Sequence, residues 1–225
     1  MASAVVPAIG REVDGLRQLA LRMGGLAEDI LDKSLRALWQ RDAHLASEVV
    51  SDDLEIDRID VEIDAAVLNI LALRAPVAAD LRQTLAIKSI ATDLERIGDL
   101  ARNIAACAGR LAEREPLVPP VLLRELADGS RRALGRALQA FADLDPELAL
   151  NVVGGDDPID DVEARVIRES IGRIQSAPSA SRQELDWIFV AKHLERVADH
   201  ATNIAEEVVL VTRSVNLKHA ARLAD

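Results

Sequence analysis

The chain has 225 residues, 49% of them apolar but only 2% aromatic, with 29% charged and a formal net charge of −11. That length supports one large or two small domains with a true core, and the charge excludes non-specific binding to nucleic acid or anionic lipid. A single cysteine, Cys107, excludes an internal disulfide and fits a reducing compartment.

From the N-terminus, residues 1–9 carry neither the basic nor the apolar region of a signal peptide. No run approaches the about 18 apolar residues of a membrane helix, so a cytoplasmic protein is expected. The periodicity predicts a long helix ending near Trp39, a short connecting helix, and then two more long helices. In the first of these two, Ile56, Ile59, Ile63, Ala66, Ile70 and Leu73 make an apolar seam. Asp53, Asp57, Asp60 and Asp64 run along its flank, about 120° round. "RAPVAAD" (74–80) interrupts the pattern. The last helix of this half has its seam at Ile90, Leu94, Ile97, Ala101, Ile104, Ala108 and Leu111. Glu95 and Asp99 fall together about 160° from that seam, with Asn103 continuing the row.

"EREPLVPP" (113–120) then stops helix formation with three prolines. Beyond it the same order of elements recurs. Asp145-Pro146-Glu147 is a capping Asp with Pro at the first helical position, and Asp157-Pro158 repeats that chemistry after the Gly154-Gly155 turn. After "SAPSAS" (176–181), Ser181 and Glu184 have the spacing of a capping box. The final helix has a seam at Val190, Leu194, Val197, Ala201, Ile204 and Val208, and an opposite ridge of Glu195, Asp199, Asn203 and Glu206.

The recurrence is a duplication. "DLERIGDLARNIA" (93–105) aligns with "HLERVADHATNIA" (193–205) at an offset of 100 residues. "RDAHLASEVVSDDLEID" (41–57) aligns with "LDPELALNVVGGDDPID" (144–160) at an offset of 103, bringing Asp53 onto Asp156 and Asp57 onto Asp160. Glu163 continues that second acidic row. With no alternating strand pattern, the expected fold is all-α: two tandem, sequence-related three-helix bundles. They are placed at 1–115 and 121–216, with a Pro-rich linker at 116–120.

Each bundle thus carries two acidic rows expected to face outward and to meet along one groove. Like charges four residues apart cost a helix about 0.2–0.5 kcal/mol, which Arg96, Arg102 and Arg196 are placed to relieve. Oxygen-only rows suit hard cations such as Mg, Mn or Ca, and also iron, whereas a closed zinc site needs Cys or several His. The residues alone leave two readings, an exposed cation platform or a solvated ridge. A di-iron oxidase requires Glu-x-x-His pairs aimed into a bundle core, and no Glu here has a His three residues on. His200, beside Asp199, is a candidate accessory ligand. Cys107, Trp187 and Phe189 read as core residues, and Trp39 as a candidate contact. No Gly-rich phosphate loop, nucleophile elbow or Ser/His/Asp set is visible.

The stretches "APVAADLRQTLAIKSIATDLERIGDLARNIA" (75–105) and "FVAKHLERVADHATNIAEEVVLVT" (189–212), in this two-copy layout, resemble the PhoU family of bacterial phosphate-uptake regulators. The resemblance runs from about residue 15 to 213. It implies two similar three-helix bundles, and acidic pairs that bind multinuclear clusters of iron or zinc; from the residues themselves, Mg and Mn stay open. Carried over, the first site would use Asp53, Asp57, Glu95 and Asp99. The second would use Asp156, Asp160, Glu195 and Asp199. The family's role implies a non-catalytic negative regulator in the cytoplasm. It would link the ATPase of the phosphate ABC transporter to the phosphate-sensing histidine kinase, as a homodimer reaching the membrane only through partners. An interaction surface near Asp80-Leu81-Arg82 would belong to the first half alone, because "SAPSAS" replaces "PVAADLR" in the second.

Overall fold

The structure, a computed structural model, describes residues 8–155 and 157–217, without the side chains of Ala8 and Asp157. Every regular element among the described residues is helical. The first half is built from α1 (Ala8–Gln40), α2 (Ala43–Arg74) and α3 (Ala78–Ala112). The second has α4 (Leu123–Asp143), the short α5 (Pro146–Val153), α6 (Asp157–Ser176) and α7 (Ser181–Arg213), with one 3-10 turn at Pro178–Ala180.

The chain's local chemistry accounts for the breaks. Arg41 adopts a left-handed φ of 55°, and Asp42 then caps α2 by accepting the Leu45 N–H at 2.9 Å. α2 ends on Ala75, also left-handed, immediately before Pro76. As the sequence indicates, Asp145 caps α5 by accepting the Glu147 and Leu148 N–H groups, with Pro146 in the first turn. Ser181 does not cap α7. Its hydroxyl donates back to the Pro178 carbonyl at 2.5 Å, and Glu184, the expected box partner, is buried instead.

The expected short connecting helix exists only in the second half. There Gly154-Gly155 and Pro158 separate α5 from α6, whereas Ser51, Asp52 and Glu55 occupy the equivalent places in the first half. Without Gly or Pro to interrupt the backbone hydrogen bonds, α2 runs through as one helix.

The predicted seams are buried, except that Ala66 is half-buried and Leu73, in the last turn of α2, is 75% exposed. Ile56, Ile59 and Ile63 on α2, Ile90 to Leu111 on α3 and Val190 to Val208 on α7 all lie in one continuous apolar core. The halves join through α3 against α7 and α1 against α4. Gly24 permits the second contact, since a Cβ there would come within 2.5 Å of Leu138. Charged groups fix the register. Arg110 and Arg114 reach the buried Asp186 of α7 at 2.6 and 2.8 Å, and Arg131 of α4 pairs with Asp32 of α1 at 2.7 Å. Arg110 also donates to the thiol of Cys107, whose pKa burial pushes up to about 11, as suits the core position expected for it. Trp187 is buried as expected, but Phe189 is about half exposed because it lies on the outer side of α7. Trp39 receives the Arg124 guanidinium over its ring at 4.3 Å, a cation–π contact between the halves.

Candidate metal centre

In each half the acidic residues gather where the outer helix meets the long inner one, α2 with α3 and α6 with α7. The two grooves differ in how their negative charge is met.

In the first half the outward placement expected from periodicity holds only in part. Asp57 is exposed, Glu95 and Asp99 are half-buried, and Asp53 is 2% exposed, lodged beneath the groove. Gly98, inside "LERIGD", makes that burial possible: a Cβ there would lie 2.6 Å from Asp53 Oδ1 and 3.0 Å from Ile56. The guanidinium of Arg102 donates to Asp53 at 2.7 Å and to Asp99 at 2.5 Å, clasping α2 to α3. Arg96 lies 3.4 Å from both Glu95 and Asp99, and Lys88 bridges Asp60 at 3.1 Å and Asp64 at 2.5 Å. Burial raises the pKa of Asp53, and Asp57 and Asp99 add to the rise against the pull of Arg102. Asp53, Glu95 and Asp99 each lie against a guanidinium, and Asp57 stands exposed beside them.

In the second half Asp160 of α6 and Glu195 and Asp199 of α7 each offer a carboxylate oxygen within 4.8 Å of the others. Asp156, the fourth residue expected there, lies outside the described residues. The position of Arg102 is taken by Thr202, so no guanidinium enters from that turn. Lys192 is held by Glu163, buried at 6% exposure, at 2.6 Å. Burial raises the pKa of Glu195, reinforced by Asp199 against the pull of Lys192, and burial with Asp160 raises that of Asp199 against the pull of His200, Arg196 and Lys192. Cations with metal–oxygen bonds of about 2.1–2.5 Å span such a set after small side-chain rotations, water completing the shell. The all-oxygen donor set is a hard one.

His200 does not join it. Its Nδ1 is 2.8 Å from Asp93 of α3, which also accepts from Asn203 at 3.2 Å, so it ties the two halves together. Residue typing alone hides the difference between the grooves. The signal was nevertheless present at offset 100, where Arg102 aligns with Thr202 and Thr92 with Lys192.

Fold and grooves together define a duplicated helical bundle with carboxylate ridges. The family model of the PhoU domain matches it twice, over residues 20–108 and 123–208. The phosphate-specific transport system accessory protein PhoU homolog of Zymomonas mobilis is 34% identical, covering 98% of this chain and 93% of the relative. The crystal structure of PhoU from Pseudomonas aeruginosa superposes with a TM-score of 0.89 at 35% identity, covering 91% of this chain and 99% of that one. The phosphate transport system regulatory protein PhoU from Streptococcus pneumoniae gives a TM-score of 0.86 at 28% identity, covering 93% and 99%. The chain belongs to the PhoU family.

Arg102→Ala leaves the Asp53 carboxylate buried without its cation. Breaking a buried pair costs about 3–5 kcal/mol, and the solvent reach of Arg102 reduces this to roughly 2 kcal/mol at pH 7. A carboxyl whose folded pKa is raised binds its proton more tightly when folded, so the linked stability is full below the unfolded pKa and lost as pH rises. The deficit in urea unfolding therefore shrinks on acidification towards about pH 4. A deficit independent of pH would show that Asp53 is not the group left exposed to the loss.

Proposed function

We propose that this chain is a negative regulator of phosphate uptake and of phosphate-starvation signalling. It acts as an adaptor between the ATPase of the phosphate ABC transporter and the phosphate-sensing histidine kinase, without catalysis or nucleic-acid binding of its own. The observation that carries the reading is the match of both repeats, nearly end to end, to proteins named as accessories or regulators of phosphate transport. No helix among the described residues is long and apolar enough to cross a membrane. The proposal accordingly places the protein in the cytoplasm, as a homodimer that meets the membrane through its partners. The two units, 1–115 and 121–216 about the linker 116–120, give it two related faces.

In this reading Asp160, Glu195 and Asp199, with Asp156, hold the principal metal site, for iron or zinc clusters or for Mg or Mn. The convergence of three carboxylates supports it. The first set, Asp53, Asp57, Glu95 and Asp99, binds more weakly because a metal there must displace Arg102. A bound cation would neutralise the ridge and set the charge of that face. The alternatives, a paralogue with another transporter or a metal-binding scaffold, share this geometry and differ only in partner.

Deleting the gene is expected to derepress phosphate-starvation genes in phosphate-rich medium, and unchanged transcript levels would refute the regulatory role. For the metal, Fe(II), Zn(II), Mn(II) and Mg(II) are titrated into metal-stripped protein while thermal unfolding is followed. At least one is expected to stabilise it, by about 2.7 kcal/mol at roughly a hundredfold excess over Kd. Glu195→Gln with Asp199→Asn is expected to remove that gain; an equal gain in the double variant, or none with any metal in the parent, would refute the site.

A further inference from the structure

α2 is apolar on two sides. One side fills the core through Ile56, Ile59, Ile63 and Ile70. The other carries Leu54, Val61 and Leu68, exposed at 54%, 68% and 66%, with the exposed Ala65 and Ala72 between them. Residues 54, 58, 61, 65, 68 and 72 alternate in steps of four and three, the register of a coiled-coil seam. Among the described residues α2 packs only against α1 and α3, so none of them covers that side.

The stripe is specific to the first repeat. At offset 103 its positions become Asp157, Asp161, Ala164, Arg168, Ile171 and Gln175, a mostly polar face. Solvation alone therefore does not require apolar residues on the outer helix. Large exposed side chains in coiled-coil register mark an interaction surface.

The flanks indicate what covers it. Asp57 and Asp64 line one side, and Glu62 the other; Asp57 and Glu62 are exposed, and Asp64, whose side chain is 49% exposed, is paired with Lys88 at 2.5 Å. Arg58, within the seam, is paired with Glu55 at 3.2 Å. A second copy laid antiparallel would set Asp57 and Asp64 against the same acids of its partner. Laid parallel, it would set Asp57 against Glu62. Like charges facing across a helix pair are disfavoured.

We propose that the outer face of α2, residues 54–72, docks an amphipathic helix of a different protein whose apolar seam is flanked by lysine and arginine. The face is about 27 Å long, enough for two to three heptads. This gives the adaptor reading a docking surface and rests on that reading only for the biological identity of the partner. The proposed homodimer then uses another face.

The test uses the full chain and a labelled synthetic helix of about three heptads, with Leu and Ala in its seam and Lys on its flanks. A control peptide has Glu on the flanks. Fluorescence anisotropy is expected to show binding of the Lys peptide, weakened by salt, and none of the Glu peptide. Val61→Gln with Leu68→Gln is expected to weaken binding roughly 30-fold or more, the weight of hot-spot side chains, with an unchanged thermal melt. Should that pair lower the melt, Leu54→Gln alone provides the same comparison, and Ile171→Gln on α6 is expected to change nothing. No binding of the Lys peptide, or equal binding to the parent and the α2 variants, overturns the proposal. So does sedimentation showing a parent dimer that the α2 variants split, since a second copy would then be the occupant. Failure here leaves the expression test of the regulatory role untouched, and failure of that test leaves the peptide result intact.

Discussion

Carboxylates stacked along a groove between two helices repel one another, and each half of this molecule must meet that charge. The first half does so with its own side chains. Arg102 holds Asp53 and Asp99 together, Lys88 holds Asp60 and Asp64, and Arg96 lies against Glu95. The second half has Thr202 where Arg102 would be; Lys192 pairs with Glu163, and Lys192, His200 and Arg196 offset part of the charge where Asp160, Glu195 and Asp199 converge. On the account proposed here, an ion in solution takes the place of the guanidinium. One groove is closed by a structural clasp, and its copy is the proposed cation site.

The scaffold makes such divergence tolerable. α3 and α7 bury their seams in a core common to both halves. A change of groove chemistry therefore need not disturb the packing. The clasp does impose one demand on its own helix. In its present position Asp53 occupies space that a Cβ at residue 98 would take, whereas the equivalent residue of the second repeat is Ala198. The Gly-to-Ala difference between "LERIGD" and "LERVAD" thus reports on the charge arrangement next to it.

Much of this was legible in the sequence. Apolar periodicity located the seams of α2, α3 and α7, because burial selects side chains of one kind at helical spacing. The duplication was legible because two stretches kept their register at offsets of 100 and 103. The extent of α2 is not legible, since a repeat suggests equal elements while Ser51 and Asp52 lack the breaking power of Gly154 and Gly155. Angular position on a helix wheel could not show that Asp53 is covered, because that depends on Arg102 reaching across from a neighbouring helix. For the same reason His200 read as a ligand candidate, although its partner is Asp93, 107 residues away. Long-range polar pairing leaves no periodic trace in the chain.

The most direct measurement exchanges the two grooves' counter-charges and follows Mn(II) binding by calorimetry on metal-stripped protein. Thr202→Arg is expected to abolish binding to the second half, by delivering a guanidinium to Asp199 as Arg102 does to Asp99. Arg102→Thr, made in that background, is expected to restore binding, now at the first half and dependent on Glu95 and Asp99. Unchanged affinity in Thr202→Arg would contradict the account, because the acids would then hold the ion regardless of their internal counter-charge.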